Sequence, residues 1–365
     1  MKRSGSRIAI ISVLLLGALV FAGVYYAWNT TIAIFQPANA ASTGQTIPFE
    51  IASGDTTATI ADHLQQKGLI RNALAFRVWA RIKGLDTRLQ AGIYKKLSPS
   101  MTISQIIDQL LNAQPDAIRV VVPEGLRIEQ IAVRFAKAGL VKFNEQDFLK
   151  YTKHIDQFPD AAKYPILKMV PAGQTMEGLL FPASYEVPVD GTARDVVNLM
   201  LKTMSDTIEQ NGLDKQAQQH QLTTYQVIIL ASLVEREVVF DGDRAGVASV
   251  YWNRILRPND ETVGFLNSDP SVQYARDTQN PPSAYWKDLT DSGGNIAANS
   301  PWNTYTHKGW PPTPICNPGL ASLMAAAAPP QTSFYFFLGK PGDGHIVFAK
   351  NKTEFDADQK KYLQK

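Results

Sequence analysis

The sequence predicts an α+β protein, with strands and helices mixed but no regular βαβ succession. Three observations carry this reading. A strand, a glycine turn and an amphipathic helix occur twice, in IASGDTTATIADHLQQKGLI (51–70) and VPEGLRIEQIAVRFAKAGLV (122–141), which align without a gap. From about residue 142 onward the apolar residues recur mostly at helical spacing. Near the end, two β-rich runs bracket KPGDG (340–344), a turn sequence.

Taken in order, the chain starts with Lys2, Arg3 and Arg7, followed by Ile8–Trp28, an apolar stretch without charge. It is long enough to cross a bilayer as a helix. The positive-inside rule keeps residues 1–7 in the cytoplasm and sends the rest outside. Ala38-Asn39-Ala40 fits a signal-peptidase site, but it lies well beyond the apolar core, so an uncleaved single-pass anchor is expected. Residues 29–46 are mostly polar or small and carry no charge, a linker.

Ile47–Ala52 reads as a strand, Ser53-Gly54-Asp55 as a turn, and Thr59–Lys67 as a helix with Ile60 and Leu64 on one face and Gly68 at its end. A helix over Ala73–Ile82, a strand over Leu89–Leu97 and a helix over Thr102–Ala113 follow. After the second copy of the repeat, helices are expected over Ala193–Gln210, from Thr223 or Thr224 onward, and over Arg244–Ile255. Residues 258–318 are rich in Pro, Gly, Asn and Ser, and so long a loop is usually functional. Asn317-Pro318 opens a helix over Leu320–Ala328, and Ser333–Leu338 and His345–Ala349 form the hairpin. The domain boundaries that follow are 47–118 for a first folded region and 119–365 for the main one.

Composition excludes several classes. A net charge of +3 over 365 residues gives no footprint for nucleic acid. A single cysteine, Cys316, allows no intrachain disulfide. The five histidines show no metal-ligand spacing, and HExxH, GxSxG and P-loop motifs do not occur. No metal and no cofactor is expected.

The most informative stretch is VIILASLVEREVVF (227–240), where three charges interrupt an apolar helix. Glu235 shares a helical face with Ile228, Ala231, Ser232, Val238 and Val239. Such surroundings desolvate a carboxylate, which is how a fold makes a general acid for neutral pH. A structural ion pair, with Arg244 for example, is the alternative. Glu237 stands among Leu230, Leu233 and Val234, so helix geometry does not choose between the two. LNSDPSVQYA (266–275) offers Asn267, Asp269, Gln273 and Tyr274 as polar groups for a substrate, with Asp269-Pro270 as a turn signal. NSPWNTYTHKGWPPTPICNPG (299–319) adds Asn303 and Tyr305 among aromatic rings and prolines, which suits a sugar groove or a self-packed loop. In TMEGLLFPASYEVP (175–188), Glu177 is a further acidic candidate, with a helix-capping carboxylate as its structural alternative.

In this order, EGL-type turns, EGLLFP, ASLVERE, VASVYWNR, LNSDPSVQYA, the NTYTHKGWPP…CNPG loop and a closing GHIVFAKN hairpin resemble the membrane-bound endolytic murein transglycosylases, the YceG-like family. The resemblance implies that Glu235, the first Glu of ASLVERE, is the catalytic acid/base. It implies cleavage of the MurNAc-β-1,4-GlcNAc bond within peptidoglycan glycan strands, closing a 1,6-anhydro end and limiting strand elongation. It implies a LysM-like module in 47–118, with which two repeat units are compatible. It also implies an inner-membrane protein with its catalytic domain in the periplasm, and peptidoglycan synthases as partners. The sequence departs from the family pattern at Asn267, Trp302, Trp310, Thr313 and Ala183-Ser184, all groove candidates. Two other readings stay open: a hydrolytic muramidase with Asp269 or Glu177 as second carboxylate, and a non-catalytic wall-binding protein.

Overall fold

A computed structural model describes residues 35–42, 44–52, 54–84, 92–112, 117–289 and 299–363. The membrane helix expected over 8–28 lies outside these residues. Among the described residues, no helix is long and apolar enough to cross a membrane. Over the described residues the architecture is α+β, many helices with three small two-stranded sheets. The contacts divide the chain into two units, one ending at Ile118 and also taking in Pro188–Asp190, the other formed by the rest.

The first unit runs β1 (Phe49–Ile51), α1 (Thr57–Gln66), α2 (Ala73–Ile82), β2 (Gly92–Tyr94) and α3 (Ile103–Asn112). β1 and β2 pair antiparallel, Phe49 opposite Tyr94 and Ile51 opposite Gly92. Thr56 and Asn72 cap α1 and α2 by accepting from the Thr59 and Ala75 backbone N–H groups. Each helix turns an apolar stripe inward: Ile60, Ala61, Leu64, Phe76, Ile103, Ile106 and Ile107 join Phe49, Ile51 and Leu97 in one core. The strand expected over Leu89–Leu97 is shorter than its apolar pattern, and its first residues lie outside the described set.

The second unit begins with the second copy of the repeat. β3 (Ala117–Val121) leads through the 122–127 turn into α4 (Ile128–Ala136) and α5 (Glu145–Lys153), and β3 pairs with β4 (Ser184–Pro188). The correspondence is physical as well as sequential. Gly54 and Gly125 both hold positive φ, +93° and +76°, where the chain turns from strand to helix. Ile60, Ala61 and Leu64 are buried, and so are their counterparts Ile131, Ala132 and Phe135.

The remaining helices are α6 (Ala193–Gln210), α7 (Leu213–Gln219), α8 (Thr224–Glu237), α9 (Asp241–Leu256), α10 (Asp269–Gln279) and α11 (Leu320–Ala327). β5 (Phe336–Gly339), β6 (Ile346–Ala349) and α12 (Lys352–Tyr362) end the chain. α8 is the hub. Thr223 caps it in a capping box with Gln226, and every residue from Val227 to Val234 is buried. A helix apolar on all sides needs neighbours on all sides, and α7, α9, α10 and α11 supply them.

Two local expectations are corrected. Asp269-Pro270 is not a turn but the start of α10, because proline suits the first helical turn and Val272 and Ala275 find a core with Leu289 and Trp302. Pro318 does not begin the next helix; Gly319 is the N-cap and Leu320 the first helical residue. Helix α12 carries no buried residue, and so had no apolar stripe to announce it.

Candidate active site

The charged end of α8 falls where α8, the start of α9, the 122–127 turn and the start of α11 converge. Glu235 is nearly enclosed, with 7% of its side chain exposed. Two groups hold its carboxylate: the Gly319 N–H donates to Oε2 at 3.1 Å, and Arg244 Nη1 lies 3.5 Å from Oε1. Gly319 is the N-cap of α11, so the backbone that would cap that helix is turned to Glu235. Arg244 also meets Asp241 (Nε to Oδ1, 3.1 Å) and Glu124 (Nη2 to Oε2, 4.0 Å), and donates to Ser322 Oγ at 2.8 Å. The ion pair weighed from the sequence is therefore present. Glu235 is not the bare carboxylate in an apolar setting that the helix pattern suggested.

Glu237 is the carboxylate of the two that burial raises, and it too is held by donors. Burial pushes its carboxyl up to about 7, although Tyr251 Oη and Ser268 Oγ both donate to Oε1, at 2.5 and 2.9 Å. Glu237 thereby ties α8 to α9 and to the 266–269 segment. The sign of the resulting pH dependence follows directly. The native state holds a proton on Glu237 between about pH 4.5, its ordinary value, and about 7, while the unfolded chain has released it. Stability from this group is full below that window and falls as pH rises through it, by up to about 3 kcal/mol. Subtracting the denaturation curves of Glu237→Gln from those of the wild type between pH 4.5 and 8 is expected to isolate this slope.

The structure brings most of the groove candidates together on the Glu237 side. Asp269 and Tyr305 are exposed and joined, Tyr305 Oη donating to Asp269 Oδ1 at 2.6 Å. Asn267 is half-buried with φ at +48°, in the left-handed region that asparagine adopts more readily than most residues, and its N–H donates to the Thr304 carbonyl. Ser268 N–H donates to Thr304 Oγ1, which zips the 266–271 and 300–305 segments together. Gln273 is half-buried on α10. Asn303 is 4% exposed and accepts the Tyr305 N–H, so it shapes the loop from below.

Two candidates are placed elsewhere. Tyr274 is enclosed, with the Arg127 guanidinium 4.2 Å over its ring and Trp302 5.8 Å away. Glu177 is 1% exposed: its carboxylate accepts from Ile128 N–H at 3.2 Å and from Asn317 Nδ2 at 2.9 Å, capping α4. Burial keeps its carboxyl well above the usual range. Glu177 has no face to offer a substrate, because a free helix N-terminus inside the fold needs an acceptor more. Glu177→Ala is expected to cost about 1–3 kcal/mol in chemical denaturation, by orphaning both donors. Cys316 is buried, its thiol directed to the Ser232 carbonyl and pushed up by burial.

Sequence reading passed over Glu124. It stands in the turn of the second repeat copy, where the first copy has Ser53. The duplicated turn carries its acid before the glycine in this copy and after it, at Asp55, in the other.

A model of the YceG-like family matches residues 49–361. An endolytic murein transglycosylase of Bacillus subtilis is 30% identical over 327 residues, 87% of this chain and 85% of that protein. One from Streptococcus pneumoniae is 26% identical over 371 residues, 95% of this chain and 64% of that protein. A crystal structure of a YceG-like protein from Listeria monocytogenes superposes with a TM-score of 0.56 at 28% identity, covering 86% of this chain and 99% of that one.

Proposed function

The chain belongs to the YceG-like family, and from that premise we propose that it is an endolytic murein transglycosylase, a lyase that cuts peptidoglycan glycan strands internally. The observation that carries the reading is Glu235 itself. It is an almost enclosed carboxylate at a junction of four segments, held by a backbone N–H and an arginine.

The reaction needs only one acid/base group because no water enters it. Glu235, protonated, donates to the bridging oxygen as the bond from muramic C1 to the GlcNAc O4 breaks. The resulting carboxylate takes the proton of the muramic C6 hydroxyl as O6 bonds to C1. The products are a free GlcNAc 4-hydroxyl and a 1,6-anhydro end, and the glutamate regains its proton. Asp269 and Tyr305, with Asn267 and Gln273 beside them, are assigned to acetamido and hydroxyl groups of the strand. Asn303, which accepts the Tyr305 N–H, supports that surface from beneath.

The first unit is read as a LysM-like module. Its βααβ order with an antiparallel strand pair supports this. The anchor expected at 8–28 would hold the protein in the inner membrane with its catalytic unit outside. There it would meet new strands as a synthase extrudes them, and cutting would limit their length.

The test is to incubate the full chain with uncrosslinked glycan strands and weigh the products. Internal fragments with anhydro-muramic ends are expected. Reducing ends would make the protein a hydrolase, and binding without cleavage would make it a wall-binding protein.

A further inference from the structure

Both groups at the Glu235 carboxylate are donors, yet the reaction proposed above starts with a proton on that carboxylate. Something else at the site has to favour keeping one there. Glu124 is placed to do so.

Its carboxylate lies on Gly319, so close that a methyl built on that glycine would overlap it. The same glycine's N–H donates to Glu235. One residue thus carries both carboxylates. The adjoining Gly125 is also packed on the pair: a Cβ there would sit 3.6 Å from Glu235 Cγ and 3.2 Å from Arg236 Nη1. Arg244 reaches both acids, Nη1 to Glu235 and Nη2 to Glu124. The side chain of Glu124 is 47% exposed, so it borders the open side of the site rather than the core.

The charges around the pair come from each packed element. From α9 there are Arg244 and Asp241. From α8 there is Arg236, whose guanidinium lies over the Trp286 ring at 4.3 Å with Nη1 beside Gly125. From the segment before α11 there is the Cys316 thiol, which burial keeps neutral at ordinary pH. Glu124, Glu235 and Asp241 ionised together would set three negative charges around the single charge of Arg244. Two carboxyls that share one glycine and one arginine are placed to share a proton.

We propose that Glu124 and Glu235 form a carboxyl pair holding one proton, in which Glu124 is a positioning residue that keeps the proton available to Glu235. The inference rests on the transglycosylase reading for its catalytic meaning, though not for its titration. Burial, and next to it the charge of Glu235, already raise the Glu124 carboxyl above its ordinary value. The proton leaves the pair for the GlcNAc O4 and returns to it from the muramic O6, so the pair ends as it began.

The experiment uses the full chain as wild type, Glu124→Gln, Glu124→Asp and Gly319→Ala. The initial rate of anhydro-end formation is measured from pH 5 to 9, alongside 13C NMR titration of selectively labelled glutamate carboxyls. Glu124→Gln is expected to slow cutting at pH 7.5 by roughly 10–100-fold and to move the alkaline limb of kcat/KM about one pH unit lower. Glu124→Asp restores most of the profile. Gly319→Ala, which pushes the Glu124 carboxylate aside without removing it, shifts the limb in the same direction as Glu124→Gln. In the titration, the wild-type pair shows two coupled steps and Glu124→Gln shows one. An unchanged pH profile and an unchanged Glu235 titration in Glu124→Gln would overturn the pairing, whatever the rate. Because the titration needs no turnover, a wild type that makes no anhydro ends sinks the activity reading while the pair is still judged by NMR.

Discussion

Replacing Glu235 with glutamine is expected to leave a folded protein that cuts glycan strands about 10²–10⁴-fold more slowly. Glutamine keeps the length of the side chain and an oxygen to accept the Gly319 N–H. It cannot donate a proton to a leaving sugar oxygen and take one back. Arg244 loses one ionic neighbour but retains Asp241, Glu124 and the Ser322 hydroxyl. The unfolding midpoint should therefore move little. A purely structural Glu235 gives the opposite pattern, in which stability falls and residual activity follows the folded fraction. Rate and midpoint measured on one preparation separate the two.

Arg244→Met is expected to be the most damaging substitution at the site for stability. Arg244 has 9% of its side chain exposed and faces three carboxylates. The nearest other cation, Arg236, is held over Trp286. Removing one member of a buried ion pair leaves the other charge enclosed and uncompensated, which costs about 3–5 kcal/mol. For a unit of this size that lowers the unfolding midpoint by roughly 6–20 °C. Methionine has nearly the volume of the arginine stem, so the loss reports charge more than a cavity. Combining it with Glu235→Gln should recover a substantial part of the loss, since the stranded charge is removed as well. Thermal unfolding of the two single variants and the double checks this. An additive double variant would mean that the pair carries no coupling.

Much of the fold could be read from the chain because local signals and burial agree. Helices α2 and α6 fall where the spacing placed them, with Asn72 and Thr192 as caps. The duplicated unit was visible because its two glycines and its apolar stripe must satisfy the same turn and the same core twice. The hairpin around KPGDG is a local turn problem, and β5 and β6 pair across it as expected. Where sequence reading failed, the deciding contact was distant. Asp269-Pro270 reads equally as a turn or a helix start until Leu289 and Trp302 provide a core for α10.

The site was less legible than the fold for the same reason. Helical spacing puts Glu235 and Glu237 in similar apolar company, yet the two end in different environments. Glu237 is enclosed by Tyr251 and Ser268, while Glu235 meets a glycine N–H and an arginine. Only tertiary packing at the end of α8 makes that difference. Glu177 looked like an acid in an apolar setting, and that is what it is, but Ile128 and Asn317 use both of its oxygens or their neighbourhood. Glu124 reaches Glu235 across more than a hundred residues of chain, from a turn whose sequence suggests only a turn.

The central claim is that the muramic C6 hydroxyl, not water, completes the cut. The measurement that tests it most directly is cleavage of uncrosslinked glycan strands in water enriched in 18O, with the ends of the products weighed. The account predicts anhydro-muramic ends without any 18O, at a rate that collapses in Glu235→Gln. Reducing ends carrying one 18O each would contradict it, and would show that the enzyme delivers water to C1.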